Sequence, residues 1–347
     1  MEDYKNIISL LEQIPQPGFL IQNDRIVSVN QAAAAMVLAP GQIFSSMSGI
    51  DLEDIMDTPD AQLCLTLTIN GCRHNAVVTR LKEFDLVVLE SSEEQDEYRS
   101  MALASMELRT PLMQAISAAR QLNSGSDPAA GKMNQSLMQM LRLVGNMADI
   151  SRYKTSSRME TRDVDAFLLE LFEKAQTLAG KNVCISFQGI KQPVFSLIDP
   201  EQLERSVWNI LSNCIKFSSG ECYITASLTR KGSLLRLTVE DNGSGIPEAV
   251  RPNLFNRYLR QPGIEDNRFG FGLGLAIVRA TAANHGGTVL ISNGRNGGTR
   301  VTLTLAIRQD DSNTLRSPLL RPDYTGGWDH GLVELSDFLG PEHYYEL

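Results

Sequence analysis

Apolar residues in this chain first alternate and later recur every three or four positions, and the switch divides the sequence. Near the start, Gly18-Phe-Leu-Ile-Gln22 and Arg25-Ile-Val-Ser-Val-Asn30 flank Asn23-Asp24, which predicts a β-hairpin after a short opening helix. An Ala-rich helix over Gln31–Leu38 and three strands, Gln62–Ile69, His74–Leu81 and Phe84–Leu89, complete an α+β pattern. Ser91 to Glu97 is polar and acidic without β character, and reads as a solvated junction. From Tyr98 to Leu122 the period becomes helical through Met101, Leu103, Leu108, Leu112, Ile116, Ala119 and Leu122. Asn123-Ser-Gly-Ser-Asp-Pro128 breaks that pattern, and Met133–Tyr153 resumes it with Leu137, Met140, Leu141, Val144, Met147 and Ile150. The result is an αα-hairpin. One hairpin leaves both apolar stripes uncovered, so a homodimeric four-helix bundle is expected, with the methionines as core filler.

Residues 160–308 alternate between the two periods. The pattern predicts a helix (Val164–Leu178), strands (Val183–Phe187, Val194–Ile198), a helix (Glu201–Phe217) and a hairpin (Cys222–Leu228, Ser233–Val239). A helix (Gly274–Ala283) and a last hairpin (Thr288–Ser292, Thr299–Ala306) follow. Beyond Gln309 the chain holds eight Asp/Glu against two Arg, with Tyr324, Trp328, Phe338, Tyr344 and Tyr345 among them. Leu332, Val333, Leu335, Phe338 and Leu339 can share one face of a short helix, which suits a docking peptide. The boundaries read from these shifts are 1–92, 93–155, 156–308 and 309–347.

Composition narrows the classes. A net charge of -9 argues against nucleic acid or an anionic membrane as partner. No apolar run reaches the roughly 18 residues a bilayer requires, and Met1-Glu-Asp-Tyr-Lys lacks a signal-peptide layout. The five cysteines, Cys64, Cys72, Cys184, Cys214 and Cys222, form no Cys-x-x-Cys pair, which fits reduced thiols. A soluble, cytoplasmic protein is expected.

Four clusters in the α/β segment carry candidate chemistry. In Trp208-Asn-Ile-Leu-Ser-Asn213-Cys-Ile-Lys216, Asn209 and Asn213 stand four apart on one helix face, with Lys216 one turn further. Amide oxygens suit Mg²⁺ and an ammonium complements phosphate. Leu234-Leu-Arg-Leu-Thr-Val239 runs into Glu240-Asp241-Asn-Gly243-Ser-Gly245-Ile-Pro247, a carboxylate at a strand end followed by glycines that let backbone pass close to a ligand. Leu254-Phe255-Asn-Arg257-Tyr258 is third. Phe269-Gly270-Phe-Gly272-Leu273-Gly274 then opens a helix whose N–H groups and dipole suit phosphate.

In this order the clusters resemble the N, G1, F and G2 boxes of the GHKL ATPase domain of two-component sensor histidine kinases. The resemblance implies an α/β sandwich that binds ATP and Mg²⁺. It implies that Asn213 holds the metal, Asn209 supports it, Lys216 contacts phosphate and Asp241 accepts the adenine amino group. Gly243, Gly245, Gly270, Gly272, Leu273 and Gly274 would line the nucleotide, with Arg260 and Arg268 near its γ-phosphate. His285-Gly-Gly287 matches the turn after the G2 helix, where His285 would cap that helix. The N-terminal segment, with Ile26-Val-Ser-Val-Asn30, resembles a small PAS domain; an unrelated α+β domain is the alternative.

The helical hairpin adds the decisive substitution. Ser105-Met-Glu-Leu-Arg-Thr-Pro-Leu112 is similar to the H-box of that family, in which a histidine accepts phosphate, but the acceptor position holds Met106. A thioether has no ionisable proton and cannot form a phosphoramidate. Glu107 and Thr110 match positions that activate the histidine and position water for dephosphorylating a response regulator. Ser105, His74, His330 and His343 are poor substitutes; the tail histidines count because the tail is the one segment expected to reach the ATP lid. The fold class expected is therefore multidomain α/β: a PAS-like domain, a dimeric helical-hairpin bundle and a GHKL ATPase domain. Three functions stay open. The chain is a nucleotide-dependent regulator or response-regulator phosphatase, a kinase acting in trans on a heterodimer partner histidine kinase, or a non-catalytic scaffold.

Overall fold

The computed structural model describes residues 2–50, 52–56, 61–81, 83–90, 94–122, 127–152, 158–218, 220–247, 273–294, 297–308, 325 and 327–345. After α1 (Glu2–Gln13), strands β1 (Gly18–Gln22) and β2 (Arg25–Val29) pair across Asn23 and Asp24, both at positive φ, as a two-residue hairpin demands. Short helices α2 (Gln31–Ala35), α3 (Ser45–Ser48) and α4 (Leu52–Ile55) follow, then β3 (Gln62–Ile69), β4 (Cys72–Arg80) and β5 (Asp85–Leu89). Their order is β2-β1-β5-β4-β3. Buried Asn30 pins the start: Oδ1 accepts from Gly18 N–H (3.0 Å) and Ala33 N–H (2.9 Å), and Nδ2 donates to Gln16 O (2.8 Å) and Ile14 O (3.0 Å). One amide thus caps α2 and fixes the exit of α1.

The hairpin is α5 (Glu94–Leu122) against α6 (Pro128–Arg152). Helix α5 begins at Glu94, so residues 94–97 of the acidic stretch expected to be a solvated junction belong to its first turn. The buried face of α5 carries Ser105, Leu112, Ile116 and Ala119, while Leu103, Met106 and Leu108 are exposed. The stripe therefore differs from the one read by periodicity.

The α/β segment comprises β6 (Glu160–Asp163), α7 (Val164–Ala179), β7 (Val183–Gln188), β8 (Phe195–Ile198), α8 (Pro200–Lys216), β9 (Cys222–Lys231), β10 (Leu234–Asp241), α9 (Gly274–Asn284), β11 (Val289–Asn293) and β12 (Thr299–Ala306). Strand β6, which pairs with β8, has no apolar alternation and escaped the pattern. The main sheet runs β11-β12-β10-β9-β7, antiparallel except for the parallel β7–β9 pair. Leu235, Leu237 and Val239 face the shared core, beside Trp208, Leu211 and Phe172.

Two arrangements correct the independent domains expected. Strand β3 pairs with β11 (Cys64↔Val289, Leu63↔Leu290, Gln62↔Ile291), so both sheets form one ten-stranded sheet. Arg279 of α9 and Glu90, just past β5, form an ion pair across that junction. The acidic tail is the second correction. Residues 330–344 fold into α10 (His330–Glu334) and a 3-10 helix (Pro341–Tyr344) and lie on α6, α7 and α8. Leu112, Ile116, Met138, Leu141 and Val144 join one core with Val333, Leu335, Leu339 and Tyr344. Much of the hairpin's apolar surface is thus covered by its own chain, which removes part of the argument for a second copy; Leu103, Met106, Leu108, Met133 and Met140 remain exposed.

Candidate functional site

Side-chain parity places the carboxylate. In β10, Leu235, Leu237, Val239 and Asp241 alternate with less buried neighbours, so Asp241 is the last inward position of a strand otherwise lined by aliphatics. It is 8% exposed. Its Oδ1 accepts from Gly243 N–H (2.8 Å) and Thr299 N–H (3.1 Å), two backbone donors that hold a buried carboxylate in place. A Cβ at Gly298 would stand 2.1 Å from Asp241 O, and Gly298 has φ +71, so only glycine allows this approach. The Cys214 thiol of α8 lies beside the carboxylate; burial, and secondarily the Asp241 charge, hold it well above the ordinary thiol range.

Helix α8 starts cleanly: Asp199 accepts from Gln202 N–H (3.2 Å) and Pro200 occupies the first turn. Almost every residue from Gln202 to Ser212 is buried, because the helix is sandwiched between the sheet and α9 on one side and α6 and the tail on the other. Asn209 is buried, with Nδ2 donating to Arg205 O (2.9 Å). A Cβ on Gly274 would come 2.8 Å from Asn209 Oδ1, so Gly274 lets the start of α9 close onto α8. One turn on, Asn213 is half-buried and its amide makes no hydrogen bond among the described residues. Lys216 is half-buried, its Nζ 5.0 Å from the Phe217 ring centroid.

The loop after β10 closes onto the end of α8. Ser244 N–H donates to Phe217 O (3.3 Å), and a Cβ at Gly243 would stand 2.7 Å from the same oxygen. Gly245, at φ +71, lies against Gly298. Asn209, Asn213, Asp241, Gly243, Gly245, Leu273 and Gly274 are therefore joined through α8, the β10 loop and the start of α9. At that start Leu273 offers no capping side chain, which leaves the first amides of α9 for another acceptor. Gly270, Gly272, Arg260, Arg268 and the Leu254–Tyr258 cluster lie outside the described residues. Sequence reasoning missed Gly298 and Thr299; the signal was Gly297-Gly298-Thr299, a double glycine leading straight into a strand.

A hard cation with phosphate oxygens fits this set. Mg²⁺ keeps most of its shell as water and phosphate and asks for one or two protein oxygens, which Asn213 can supply without breaking a bond. Among the described residues no group of three or more His, Cys, Asp or Glu is arranged to hold a metal ion.

His285 ends α9 as a capping residue. Its Nε2 accepts from Asp199 N–H (2.9 Å) and its Nδ1 lies 2.7 Å from Thr281 O, so both nitrogens are committed and burial lowers its pKa. The tail histidines each use Nδ1: in His330 it meets Glu204 Oε2 of α8 at 2.8 Å, and in His343 it meets Gly340 O at 3.2 Å. The expected free reach of the tail thus gives way to a docked segment. Met106 is 69% exposed on α5, with Glu107 and Thr110 exposed beside it; none enters the bonds that join α8, β10 and α9.

Residues 198–309 match the family of histidine kinase-, DNA gyrase B- and HSP90-like ATPases. The sensor protein KdpD of Escherichia coli is 26% identical over 306 residues, 83% of this chain and 32% of that protein. The sensor protein kinase WalK of Staphylococcus epidermidis is 25% identical over 225 residues, 61% of this chain and 37% of that one. The chain thus spans about a third of the length of these curated relatives. Among solved structures, full-length ShkA in complex with AMPPNP shares the fold, with a TM-score of 0.51 at 21% identity, covering 62% of this chain and 47% of that one. Residues 198–309 are therefore an ATPase domain of the histidine-kinase type. No helix among the described residues is long and apolar enough to cross a membrane.

Proposed function

We propose that this chain is an ATP-binding signalling protein of the sensor histidine kinase type whose own helix does not accept phosphate. The observation that carries the reading is the contrast between two places. Asp241, Gly243, Gly298, Asn209 and Gly274 keep the close approaches a nucleotide site needs, while the acceptor position holds an exposed Met106. Asp241 would accept the adenine amino group through the carboxylate that Gly243 and Thr299 orient. Asn213 would give an oxygen to Mg²⁺, with Asn209 fixing the turn before it and Lys216 neutralising phosphate. Gly270, Gly272, Leu273 and Gly274 would present backbone N–H groups to the phosphates. When bound, Mg·ATP supplies a transferable phosphoryl group, and nothing at position 106 can receive it.

The output is then nucleotide-dependent regulation, or dephosphorylation of a response regulator. Exposed Glu107 and Thr110, three apart on one face of α5, favour the second: the carboxylate accepts a proton and the hydroxyl orients water. The strand order β2-β1-β5-β4-β3 supports a PAS-like sensor at the N-terminus. A homodimer or a heterodimer with another histidine kinase would use the exposed Leu103, Met106 and Leu108.

The test is labelling with γ-labelled ATP and Mg²⁺. The protein should take up no acid-labile phosphate, and Met106→His should gain it. Acid-labile phosphate on the unaltered chain would overturn the proposal. Label appearing only on a co-incubated kinase that carries an intact acceptor helix would replace it by phosphorylation in trans.

A further inference from the structure

The C-terminal segment bonds to both halves of the molecule at once. On the hairpin side, Asn134 Nδ2 donates to Tyr344 O (2.9 Å), and Gln135 Nε2 donates to Ser336 O (2.8 Å) and Leu339 O (2.7 Å). These α6 amides satisfy carbonyls of the turn after α10 and of the end of the 3-10 helix. Trp328 lies under the Arg120 guanidinium of α5, 4.0 Å from its ring centroid. On the ATPase side, Asp329 pairs with Lys174 of α7 (3.0 Å) and His330 meets Glu204 of α8.

Between the halves lies a buried charge junction. Arg205 of α8, 1% exposed, pairs with Asp149 of α6, donates to Asn146 Oδ1 (2.8 Å) and lies 3.7 Å from Glu334 Oε1 of the tail. Arg142 of α6 reaches the other way: to Ser212 Oγ of α8 (2.8 Å), to Asp337 (2.5 Å) and to Glu334 (3.4 Å). Each arginine therefore touches all three elements, and Glu334, fully buried, serves both. With the tail docked, two guanidiniums face three carboxylates, Asp149, Glu334 and Asp337. Asp337 is the most exposed of the five, so the more deeply buried Arg142, Arg205, Asp149 and Glu334 balance in the docked state; without the tail the two guanidiniums face Asp149 alone, with one net positive charge. Burying that excess is unfavourable, so water must enter and the α6–α8 contact must loosen.

We propose that residues 327–345 are a latch in cis: the docked tail locks the ATPase domain onto the helical hairpin, and its release frees the domain to move. The same latch bears on nucleotide, because Arg205 O accepts from Asn209 and Met147 of α6 packs on Leu273 and Ile277 at the start of α9. Only this last consequence rests on the nucleotide reading; the locking does not.

Two variants of the full chain test it without nucleotide. Glu334→Gln removes the charge at nearly constant shape. Gly131→Ala works from the other side: a Cβ there would stand 2.5 Å from the Tyr345 ring and 2.6 Å from Pro341 O, while alanine is a better helix former than glycine for α6 itself. Hydrogen exchange over 327–345 reports docking. Spin labels at exposed Gln114 of α5 and Lys181 after α7, with exposed Cys72 and Cys184 changed to Ser, report the distance between the halves. The unaltered tail should be protected and the distance narrow. Both variants should speed tail exchange by about tenfold or more and broaden the distance, with helix content kept. A tail that exchanges freely in the unaltered chain overturns the proposal. So does a Gly131→Ala chain whose tail is released while the distance stays narrow.

Discussion

Asp241→Asn separates what the carboxylate does for the fold from what it does for a ligand. Both backbone bonds, from Gly243 N–H and Thr299 N–H, fall on Oδ1, and an asparagine carbonyl can occupy that place. The amide nitrogen then replaces the other oxygen, so in the proposed nucleotide complex a donor would face the adenine amino group in place of an acceptor. Losing a charge-assisted hydrogen bond is worth about 1.5–3 kcal/mol, or roughly ten- to 150-fold in affinity. The weaker backbone bonds should cost the fold less than about 1 kcal/mol, a few degrees in melting temperature. Cys214 gives an internal control: burial, the larger influence on its thiol, persists in the variant, so it should stay unreactive. The assay is displacement of a fluorescent ATP analogue in Mg²⁺ buffer, repeated with GTP. Guanine presents an acceptor where adenine presents a donor, so the variant should lose ATP while its GTP-to-ATP affinity ratio rises. A folded variant that binds ATP within about twofold of the original would refute base recognition by Asp241.

Other outcomes follow from buried groups. Arg279→Met leaves the Glu90 carboxylate with the Asn75 amide (2.8 Å) but no cation at the junction of the two sheets, and should cost about 2 kcal/mol in urea unfolding, with Glu90→Gln recovering most of it in the double variant. Burial keeps His285 below the ordinary imidazole range, so the unfolded chain binds the proton more tightly. Stability should be full above the unfolded pKa of about 6.5 and fall as pH drops through it; His285→Asn should flatten that slope in urea midpoints, and an unchanged slope would assign it to other groups. Exposed Cys72 and Cys184 should react at once with a thiol reagent. Cys64, pushed up to about 12 by burial, and Cys214 and Cys222, also raised by burial, should react only on unfolding.

What could be read from sequence was local. Asn23-Asp24 announced its hairpin because positive φ at two successive positions has a chemical signature. Asp241 was legible because alternation in Leu234–Val239 carries one step further to an inward carboxylate. Thr299 was not, since its contribution is a backbone N–H, which every residue except proline owns. The latch was half visible: a helical apolar face could be seen in Leu332–Leu339, but its receptor was not, because nothing local in the sequence marks Arg142, Arg205 and Asp149 as buried partners. The docking of that face on α6 also covers part of the apolar stripe from which periodicity argued for a second chain. Contacts between residues two hundred positions apart leave no period to detect.

The shared strand pairing has a practical side. Leu290 of β11 sits in the hydrophobic cluster of the N-terminal domain, and its neighbours Val289 and Ile291 bond edgewise to β3. A fragment trimmed to the ATPase domain alone would present this rim to water: unpaired backbone groups flanked by valine, leucine and isoleucine, with no charge to discourage a second copy. The segment read as a sensor is thus also a guard, and cutting it away should turn a well-behaved domain into a sticky one.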